Sequence, residues 1–369
     1  MSADVLLVIV VVSALAFDFT NGFHDTANVV ATSISTRALP AKLAILIAAV
    51  LNFVGAFLSL EVAATIASGI VDSGEITLQI VFAGLVGAIF WNMLTWWLGL
   101  PSSSSHALIG GVVGAMLIAN GPGAIIGEGL LGKVIVPAVA APVLAFAVAG
   151  ISILFIYRIV GRQRPGPVTR GFRLGQIASG SLLALAHGTN DAQKTMGIIT
   201  LALVAHGSIG GTDPQVPFWV VISSASAIAL GTYSGGWRII RTMGSKIIKM
   251  DAAQGFAAQG SGAAVILAAT HVGFPLSTTH VISGGVVGAG AAKRLSAVKW
   301  GVAGNMAIAW VLTIPAAGLT GGLAFEISDL AGGGTRGPIV VLVLIAILVA
   351  AFLRSQRVRT PPPLAEGTA

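Results

Sequence analysis

The sequence contains no cysteine and few charged residues, and both absences narrow the class of protein. Of 369 residues, only 9% are charged, whereas 55% are hydrophobic. Soluble domains carry about 25% charged residues, so this chain cannot cover a water-facing surface. Without cysteine it can form no disulfide framework, no thiolate metal site and no cysteine nucleophile. The composition therefore predicts a polytopic membrane protein whose surroundings are the lipid bilayer.

Long segments without Lys, Arg, Asp or Glu indicate how often the chain enters the membrane. Residues 76–127 form a run of 52 such residues, and residues 252–292 form a run of 41. A spanning helix needs about 20 residues, so each run can hold two membrane segments, divided near Pro101 and Pro275. With the remaining apolar runs, the sequence predicts an all-α membrane protein with about 11 membrane segments.

Basic residues sort to one side of the membrane when these segments alternate in direction. Seventeen of the 20 Lys and Arg residues then fall on a single face. Cytoplasmic loops hold the Lys and Arg excess, so the N-terminus is predicted outside and the C-terminus inside a cytoplasmic membrane. The net charge of +7 follows from this topology and does not indicate a nucleic-acid partner.

Two motifs occur twice, in the same order. Residues 21–28 read NGFHDTAN and residues 187–194 read HGTNDAQK, while PSSSSH at 101–106 recurs as PLSTTH at 275–280. Five membrane segments per copy would insert the second copy upside down, and such inverted repeats are typical of transporters. The predicted organisation is a first membrane repeat (1–160), a basic cytoplasmic linker (161–173), a second inverted repeat (174–325), an additional transmembrane helix (337–353) and a disordered cytoplasmic tail (354–369).

Acidic and amide side chains inside apolar segments mark the first candidate site. Asp25 and Asp191 occupy matching places in the two repeats, and a charge there needs a partner or a wet cavity. Gly22 and Gly188 can unwind easily, which predicts broken helices whose free carbonyls join the side-chain oxygens. Oxygen sets suit a hard cation, and an Asp can alternatively carry a proton. The predicted coupling-ion ligands are Asp25, Asn28, Asp191 and Asn21, with Na⁺ at Asp25 and Asn28 if a metal ion binds.

Hydroxyl clusters after the two prolines mark the second candidate site. Each cluster precedes an apolar run, a pattern typical of a helix N-terminus. The unpaired N–H groups and the dipole of such a helix end attract anions, so two ends can hold one tetrahedral oxyanion. Ordinary capping is the alternative interpretation. The predicted substrate-binding residues are Ser102, Ser103, Ser104, Ser105, Ser277, Thr278, Thr279, Asp25, Asp191, Asn190 and Lys194.

Other polar residues are weaker candidates. Lys194 stands where the first repeat has Asn28, and it can offset the charge of an anion, clamp Asp191 or extend to an interface. Histidines follow both hydroxyl clusters, where packing is as good an interpretation as ligand binding. The secondary candidates are His24, His106, His280, Gln193 and Glu61. Glu61, Asp18 and His187 rank below the motif residues because they lack mirrored partners. The glycines after each cluster are expected to permit close helix packing: Gly110, Gly111, Gly114, Gly284, Gly285 and Gly288.

The duplicated motifs resemble the signatures of the Pit family of inorganic phosphate transporters. These signatures read NGFHDTANVVATSISTRA at 21–38 and AHGTNDAQKTMGIITLAL at 186–203, and PSSSSH and PLSTTH match a further family element. The residues of these motifs are most similar to those of the bacterial low-affinity branch of the family. The resemblance implies import of phosphate, free or as a divalent metal complex, by symport with H⁺ (or Na⁺) and alternating access. It also implies an inverted-repeat fold, commonly a homodimer, with no cofactor besides the coupling cation.

Other functions are consistent with parts of the pattern. A sulfate permease of the same fold is the main alternative, because helix N-termini bind any tetrahedral oxyanion. An anion channel would need rings of like charge or a carbonyl filter, and no motif occurs in four or more copies. An enzyme acting on lipid phosphates would need a nucleophile and a metal-ligand set at suitable spacing. No enzyme activity is therefore predicted.

Overall fold

The computed structural model describes residues 3–71, 74–210 and 214–359. Within these ranges the chain is helical, without a strand and with one isolated bridge between Val71 and Ile125. Helices satisfy their backbone hydrogen bonds internally, which a chain surrounded by lipid requires. The predicted class of an all-α membrane protein is confirmed.

Fourteen α-helices occur in the described ranges. The first half contains α1 (Ala3–Ser35), α2 (Ala41–Gly55), α3 (Glu61–Ser68), α4 (Leu78–Leu98), α5 (Ser104–Asn120), α6 (Gly127–Leu130) and α7 (Val136–Val160). The second half contains α8 (Pro165–His206), α9 (Phe218–Ser234), α10 (Trp237–Arg241), α11 (Ala252–His271), α12 (Thr278–Lys293), α13 (Trp300–Leu330) and α14 (Arg336–Arg359). A π-helical turn at Leu131–Ile135 joins α6 to α7, and another at Thr242–Lys246 extends α10.

Among the described residues, four helical stretches are long and apolar enough to cross a membrane: α1, α4, the continuous stretch from α6 to α7, and α13. α9 together with α10 and its π-helical turn is also apolar enough, but the pair is bent by 58° at the break, so it is either one broken span or a re-entrant loop. Shorter apolar helices are α2, α5 and the first part of α14. The number of about 11 membrane segments stays a prediction.

The long helices α1 and α8 lie side by side and run in opposite directions. Asp4, at the start of α1, lies 3.4 Å from His206 at the end of α8, measured from carboxylate Oδ1 to Nε2. Ser33, near the end of α1, lies beside Gly180 in the earlier part of α8. The two copies of the duplicated motif therefore approach each other from antiparallel helices.

Helices of each half pack on helices of the other half. α5 packs against α13 and α12 against α7, while α1 packs against α9 and α8 against α2. Glycines permit these contacts, as expected: a Cβ atom on Gly114 would lie 2.0 Å from the Gly318 carbonyl oxygen. One on Gly284 would lie 2.3 Å from the Pro142 carbonyl oxygen. The backbones of these helix pairs are in direct contact.

The helix breaks lie elsewhere than predicted. α1 and α8 continue without interruption through Gly22 and Gly188, so the prediction of broken helices at these glycines is wrong. Both glycines instead allow another helix to approach. A Cβ atom on Gly22 would lie 2.3 Å from the Ile228 carbonyl oxygen, and one on Gly188 would lie 2.2 Å from that of Asn52. The chain is interrupted in the neighbouring helices, between α2 and α3 and between α9 and α10.

Several helices extend past the predicted domain boundaries. α8 begins at Pro165, so most of the predicted linker 161–173 is the largely exposed start of this helix. α13 continues to Leu330, and α14 reaches Arg359, which includes the first residues of the predicted tail 354–369. Residues 360–369 of that tail lie outside the described residues.

Replacing Gly114 with alanine should destabilise the fold, because the added methyl group would meet the backbone of Gly318. Overpacking of this kind costs about 1–3 kcal/mol. We expect a lower midpoint of thermal unfolding in detergent. Gly123→Ala is the matched control, because no atom lies within 4 Å of a Cβ at that position. Equal midpoints for the two variants would contradict the packing described above.

Candidate functional site

The candidate site forms where the two Ser/Thr turns meet beside α1 and α8. One turn joins α4 to α5 and the other joins α11 to α12. The Ser105 hydroxyl of the first turn donates a hydrogen bond to the Leu276 carbonyl of the second, at 3.0 Å. Every residue of the two clusters is buried: Ser102, Ser103, Ser104, Ser105, Ser277, Thr278 and Thr279. The structure thus brings together the two clusters that the sequence singled out.

Each cluster begins a helix, as predicted. The hydroxyls of Ser103 and Ser277 cap α5 and α12 by accepting hydrogen bonds from the backbone N–H groups of His106 and His280, at 3.1 and 3.3 Å. These two serines are therefore occupied as caps. The hydroxyl of Ser104 is buried without a hydrogen-bond partner. Ser104 is thus the hydroxyl of the first cluster that is available to a ligand.

Asp25 contacts the second hydroxyl cluster. Its Oδ1 accepts a hydrogen bond from the Thr279 hydroxyl at 3.2 Å and lies 2.7 Å from Nδ1 of His24. Asn28 donates to the same hydroxyl from Nδ2 at 2.8 Å, and its Oδ1 has no partner. His24 Nε2 lies 3.1 Å from the hydroxyl of Thr95 on α4. The Thr279 hydroxyl therefore contacts both the carboxylate of Asp25 and the amide of Asn28.

Asp191 has a different set of partners, which includes a buried cation. Lys194 Nζ donates to Asp191 Oδ1 and, at 2.8 Å, to the Leu276 carbonyl. The Thr278 hydroxyl donates to Asp191 Oδ2 at 3.3 Å. Lys194 is fully buried, which excludes an extended side chain that reaches an interface. Of the three roles considered for Lys194, the described structure shows the clamp on Asp191.

His187 adds a third potential ion ligand to the two carboxylates. One ligand atom from each of Asp25, His187 and Asp191 lies within 4.8 Å of the others, and all three residues are buried. His187 Nε2 lies 3.2 Å from Asp191 Oδ2, while Nδ1 lies 3.2 Å from Oδ1 of Asn52. Its low rank in the sequence analysis does not fit this position. The available signal was its alignment with Asn21 of the first motif copy, since matching positions can carry different chemistry.

Two secondary candidates lie outside the cluster. Gln193 accepts hydrogen bonds at Oε1 from the N–H groups of Val62 and Ala63, at 2.8 and 3.2 Å. It therefore caps α3 across the break after α2 and is not positioned to bind substrate. Glu61 is exposed at the first residue of α3, so its place as an intramembrane site residue is not supported.

The remaining candidates surround the turns. Asn190 donates from Nδ2 to the Thr270 hydroxyl at 2.8 Å and to the Phe274 carbonyl at 3.1 Å, which supports the turn between α11 and α12. The rings of His106 and His280 contact each other edge to face, with centroids 4.8 Å apart. His280 also stacks on Trp310. These histidines pack behind the two helix ends.

Charge balance defines what the site can bind. Two carboxylates and one ammonium group share a buried volume, so these three groups together carry one excess negative charge. A cation is favoured beside Asp25, where no ammonium group is present. An anion is favoured at the N-termini of α5 and α12, where backbone donors and helix dipoles converge. The arrangement can therefore hold a cation and an anion next to each other.

Removing the ammonium group of Lys194 should destabilise the protein strongly. Breaking one side of a buried ion pair costs about 3–5 kcal/mol, because the remaining charge has no compensation. We expect Lys194→Met to lower the unfolding midpoint in detergent, and the double variant Lys194→Met with Asp191→Asn to recover most of the loss. A single variant as stable as the parent would show that Asp191 does not depend on this partner.

Comparisons with known proteins identify the family of this chain. Residues 21–168 and 161–321 match the family model described as "Phosphate transporter family". A protein of Mycobacterium tuberculosis named "Probable low-affinity inorganic phosphate transporter" is 53% identical over 352 residues, which cover 95% of this chain and 84% of the relative. A Bacillus subtilis protein of the same name is 44% identical over 330 residues, covering 88% of this chain and 98% of the relative.

A solved structure shares the fold. The structure titled "The sodium-dependent phosphate transporter" superposes with a TM-score of 0.75 at 24% sequence identity. The match covers 88% of this chain and 99% of the other. At this identity the likeness extends to the arrangement of the helices and not to individual ligands.

Proposed function

The chain belongs to the phosphate transporter family, and on this basis we propose that it imports inorganic phosphate across the cytoplasmic membrane by symport with a cation. One observation carries the proposal: two capped helix ends meet beside two carboxylates and a buried lysine on antiparallel helices. The family consists of transporters, which supports the prediction that the chain is not an enzyme.

Phosphate is proposed to bind between the N-termini of α5 and α12. The first-turn N–H groups of both helices offer donors with the positive end of each helix dipole behind them. Ser104 adds a hydroxyl without a partner. Lys194 supplies a fixed positive charge at the same turn, because it contacts the Leu276 carbonyl. These groups together offset the charge of a tetrahedral oxyanion.

The carboxylates favour phosphate over sulfate. At neutral pH phosphate retains at least one proton and can donate a hydrogen bond, whereas sulfate is fully ionised and can only accept. An ionised carboxylate is an acceptor only. A carboxylate of the site can therefore accept a hydrogen bond from the phosphate hydroxyl, which partly offsets the repulsion between the two negative charges, whereas it can form no such bond with sulfate. This contrast weakens the sulfate permease alternative.

The coupling ion is proposed to bind at Asp25, Asn28 and Thr279. The Thr279 hydroxyl contacts both the Asp25 carboxylate and the Asn28 amide, and Asn28 Oδ1 has no partner. The matching place in the second repeat holds the ammonium group of Lys194, so a symmetric second ion has no room there. Oxygen ligands favour Na⁺, while the bacterial-branch resemblance favours a proton on Asp25. Either ion would remove the repulsion between Asp25 and phosphate, which makes anion binding depend on the cation.

We further propose an inverted-repeat topology with seven crossings and two re-entrant hairpins. The matching helices α1 and α8 are antiparallel, and the turns of α4–α5 and α11–α12 touch each other. Turns that enter from opposite sides can meet only within the membrane. The charge distribution agrees, because a hairpin returns the chain to the same side as two crossings do. A cysteine introduced at Leu100, in this cysteine-free chain, should resist impermeant maleimide from the cytoplasmic side; rapid labelling would indicate two crossings.

The proposed transport is tested with purified protein in liposomes. Labelled phosphate should accumulate above its equilibrium level when an inward H⁺ or Na⁺ gradient is imposed, and the effective gradient identifies the coupling ion. Arsenate should compete and sulfate should not. Equilibration without accumulation under both gradients would favour an anion channel, and equal competition by sulfate would favour a less selective oxyanion permease.

Asp25→Asn should abolish accumulation while the protein remains folded, because a coupling ion needs a removable negative charge. Asp191→Asn should also abolish it, since Lys194 would then lose its partner and hold the anion too firmly. Both changes are measured as gradient-driven uptake at matched protein content. Near-normal accumulation by either variant would remove that carboxylate from the coupling mechanism.

Ser104→Ala should weaken phosphate binding without weakening the fold, because this hydroxyl has no partner in the protein. A hydrogen bond to a charged group contributes about 1.5–3 kcal/mol, which corresponds to a roughly 10- to 150-fold higher half-saturating concentration. Ser226→Ala is the control, since that hydroxyl is exposed and bonds only to the Ile222 carbonyl of its own helix. If Ser104→Ala has the same half-saturating phosphate concentration as the parent, the hydroxyls of this cluster cap the helix and do not bind phosphate.

A further inference from the structure

A third buried carboxylate lies on α1, outside the site described above. Asp18 is fully buried, and neither of its carboxylate oxygens has a hydrogen-bond partner. It precedes Asp25 by seven residues, which is about 10 Å along the helix. An unpaired charge in such a place is costly unless something neutralises it. The proposed phosphate and cation sites do not use this residue.

Two further polar side chains flank Asp18. Asn21, one turn along α1, and Thr195, on α8, both lie near enough to interact with the carboxylate, but outside the geometry of a regular hydrogen bond. Neither side-chain atom of Asn21 has a hydrogen-bond partner, and neither does the Thr195 hydroxyl. All three residues are buried. Four side-chain oxygens from two helices are thus gathered without the partners that buried polar groups normally have.

Among the described residues, no side-chain cation is seen that is free to neutralise Asp18. The charged groups that face it are Asp191 and Lys194, and these two already pair with each other. The other two helices that pack most closely on α1 are α9 and α4. The described segments Phe218–Ser234 and Leu78–Leu98 of these helices contain no Lys, Arg, Asp, Glu or His.

We propose that Asp18, Asn21 and Thr195 form a second cation site, whose occupant is Na⁺. One carboxylate balances one positive charge, which favours a monovalent ion over Ca²⁺ or Mg²⁺. Oxygen ligands are those that a hard cation requires. A proton on Asp18 would also neutralise the carboxylate. It would supply only one hydrogen-bond donor, however, and the Asn21 amide and the Thr195 hydroxyl would still lack partners. A bound ion contacts all of these oxygens at once.

The site has no counterpart in the second repeat. The residue 166 positions after Asp18, at the spacing of the Asp25 and Asp191 motif, is Ala184. The inference rests on the proposed symport, because the second site adds one ion to the transport cycle. This ion would bind on only one side of the phosphate site. That side faces the start of α1, which is the outer side in the proposed topology. An ion entering from outside would then meet Asp18 before it reaches Asp25.

Na⁺-dependent stabilisation of the purified protein tests the site without requiring transport. The unfolding midpoint is measured in detergent against NaCl concentration, with choline chloride at equal ionic strength as the reference. A ligand that binds the folded state raises the midpoint in proportion to the logarithm of its concentration, once for each bound ion. Asp18→Asn and Thr195→Val should reduce the slope by the contribution of one ion. Thr200→Val is the matched control, because this buried hydroxyl also lacks a partner and lies on a different face of α8.

The outcomes separate this inference from the proposed function. If both variants keep the parent's slope of unfolding midpoint against NaCl concentration, the second site is overturned. Asp18 would then carry a proton, or its neighbours would bind only water. An equal loss of slope in Thr200→Val also overturns it, since the effect would then be general. If Asp18→Asn does not fold, the result for Thr195→Val decides. Absence of phosphate accumulation by the parent protein in liposomes would refute the symport proposal and leave the slopes interpretable.

Discussion

The structure depends on how a lipid-embedded protein neutralises carboxylates that it buries. Asp25, His187 and Asp191 lie close enough to hold one ion together, and both carboxylates are buried. Asp191 forms an ion pair with Lys194. Asp25 has hydroxyl, amide and imidazole neighbours but no ammonium group. In the proposed transport cycle its charge is balanced by an ion that enters and leaves, which makes anion binding depend on cation binding.

Much of the site could be predicted from the sequence, because its parts are duplicated. Residue types that are costly in lipid and occur twice at one spacing identified Asp25, Asp191 and both hydroxyl clusters before any fold was known. The cap roles of Ser103 and Ser277 followed from proline and hydroxyl residues ahead of apolar runs. These signals are local, so they do not depend on which helix packs against which.

The errors concern properties that arise from packing. The glycines at positions 22 and 188 were expected to mark unwound backbone. In membrane helices, however, the small size of glycine more often lets two helices pack closely. The role of Gln193 as a cap for α3 depends on a neighbour more than a hundred residues away. Mirrored pairs guided the ranking of candidates, and this guidance overlooked His187 because its counterpart is an amide. Matching positions in the two repeats therefore predicted where the polar residues of the candidate site lie, but not which interactions each of them makes.

The glycine contacts between α5 and α13, and between α7 and α12, also restrict how the sequence can diverge. At these contacts backbone touches backbone, so any side chain larger than hydrogen requires both helices to separate. Lipid-facing positions of the same helices need only remain apolar. Over evolutionary time the two kinds of position should drift at very different rates. A helix interface formed by glycines keeps its geometry while the lipid-facing surface around it changes. Distant relatives can therefore share a fold after most of their residues have been replaced.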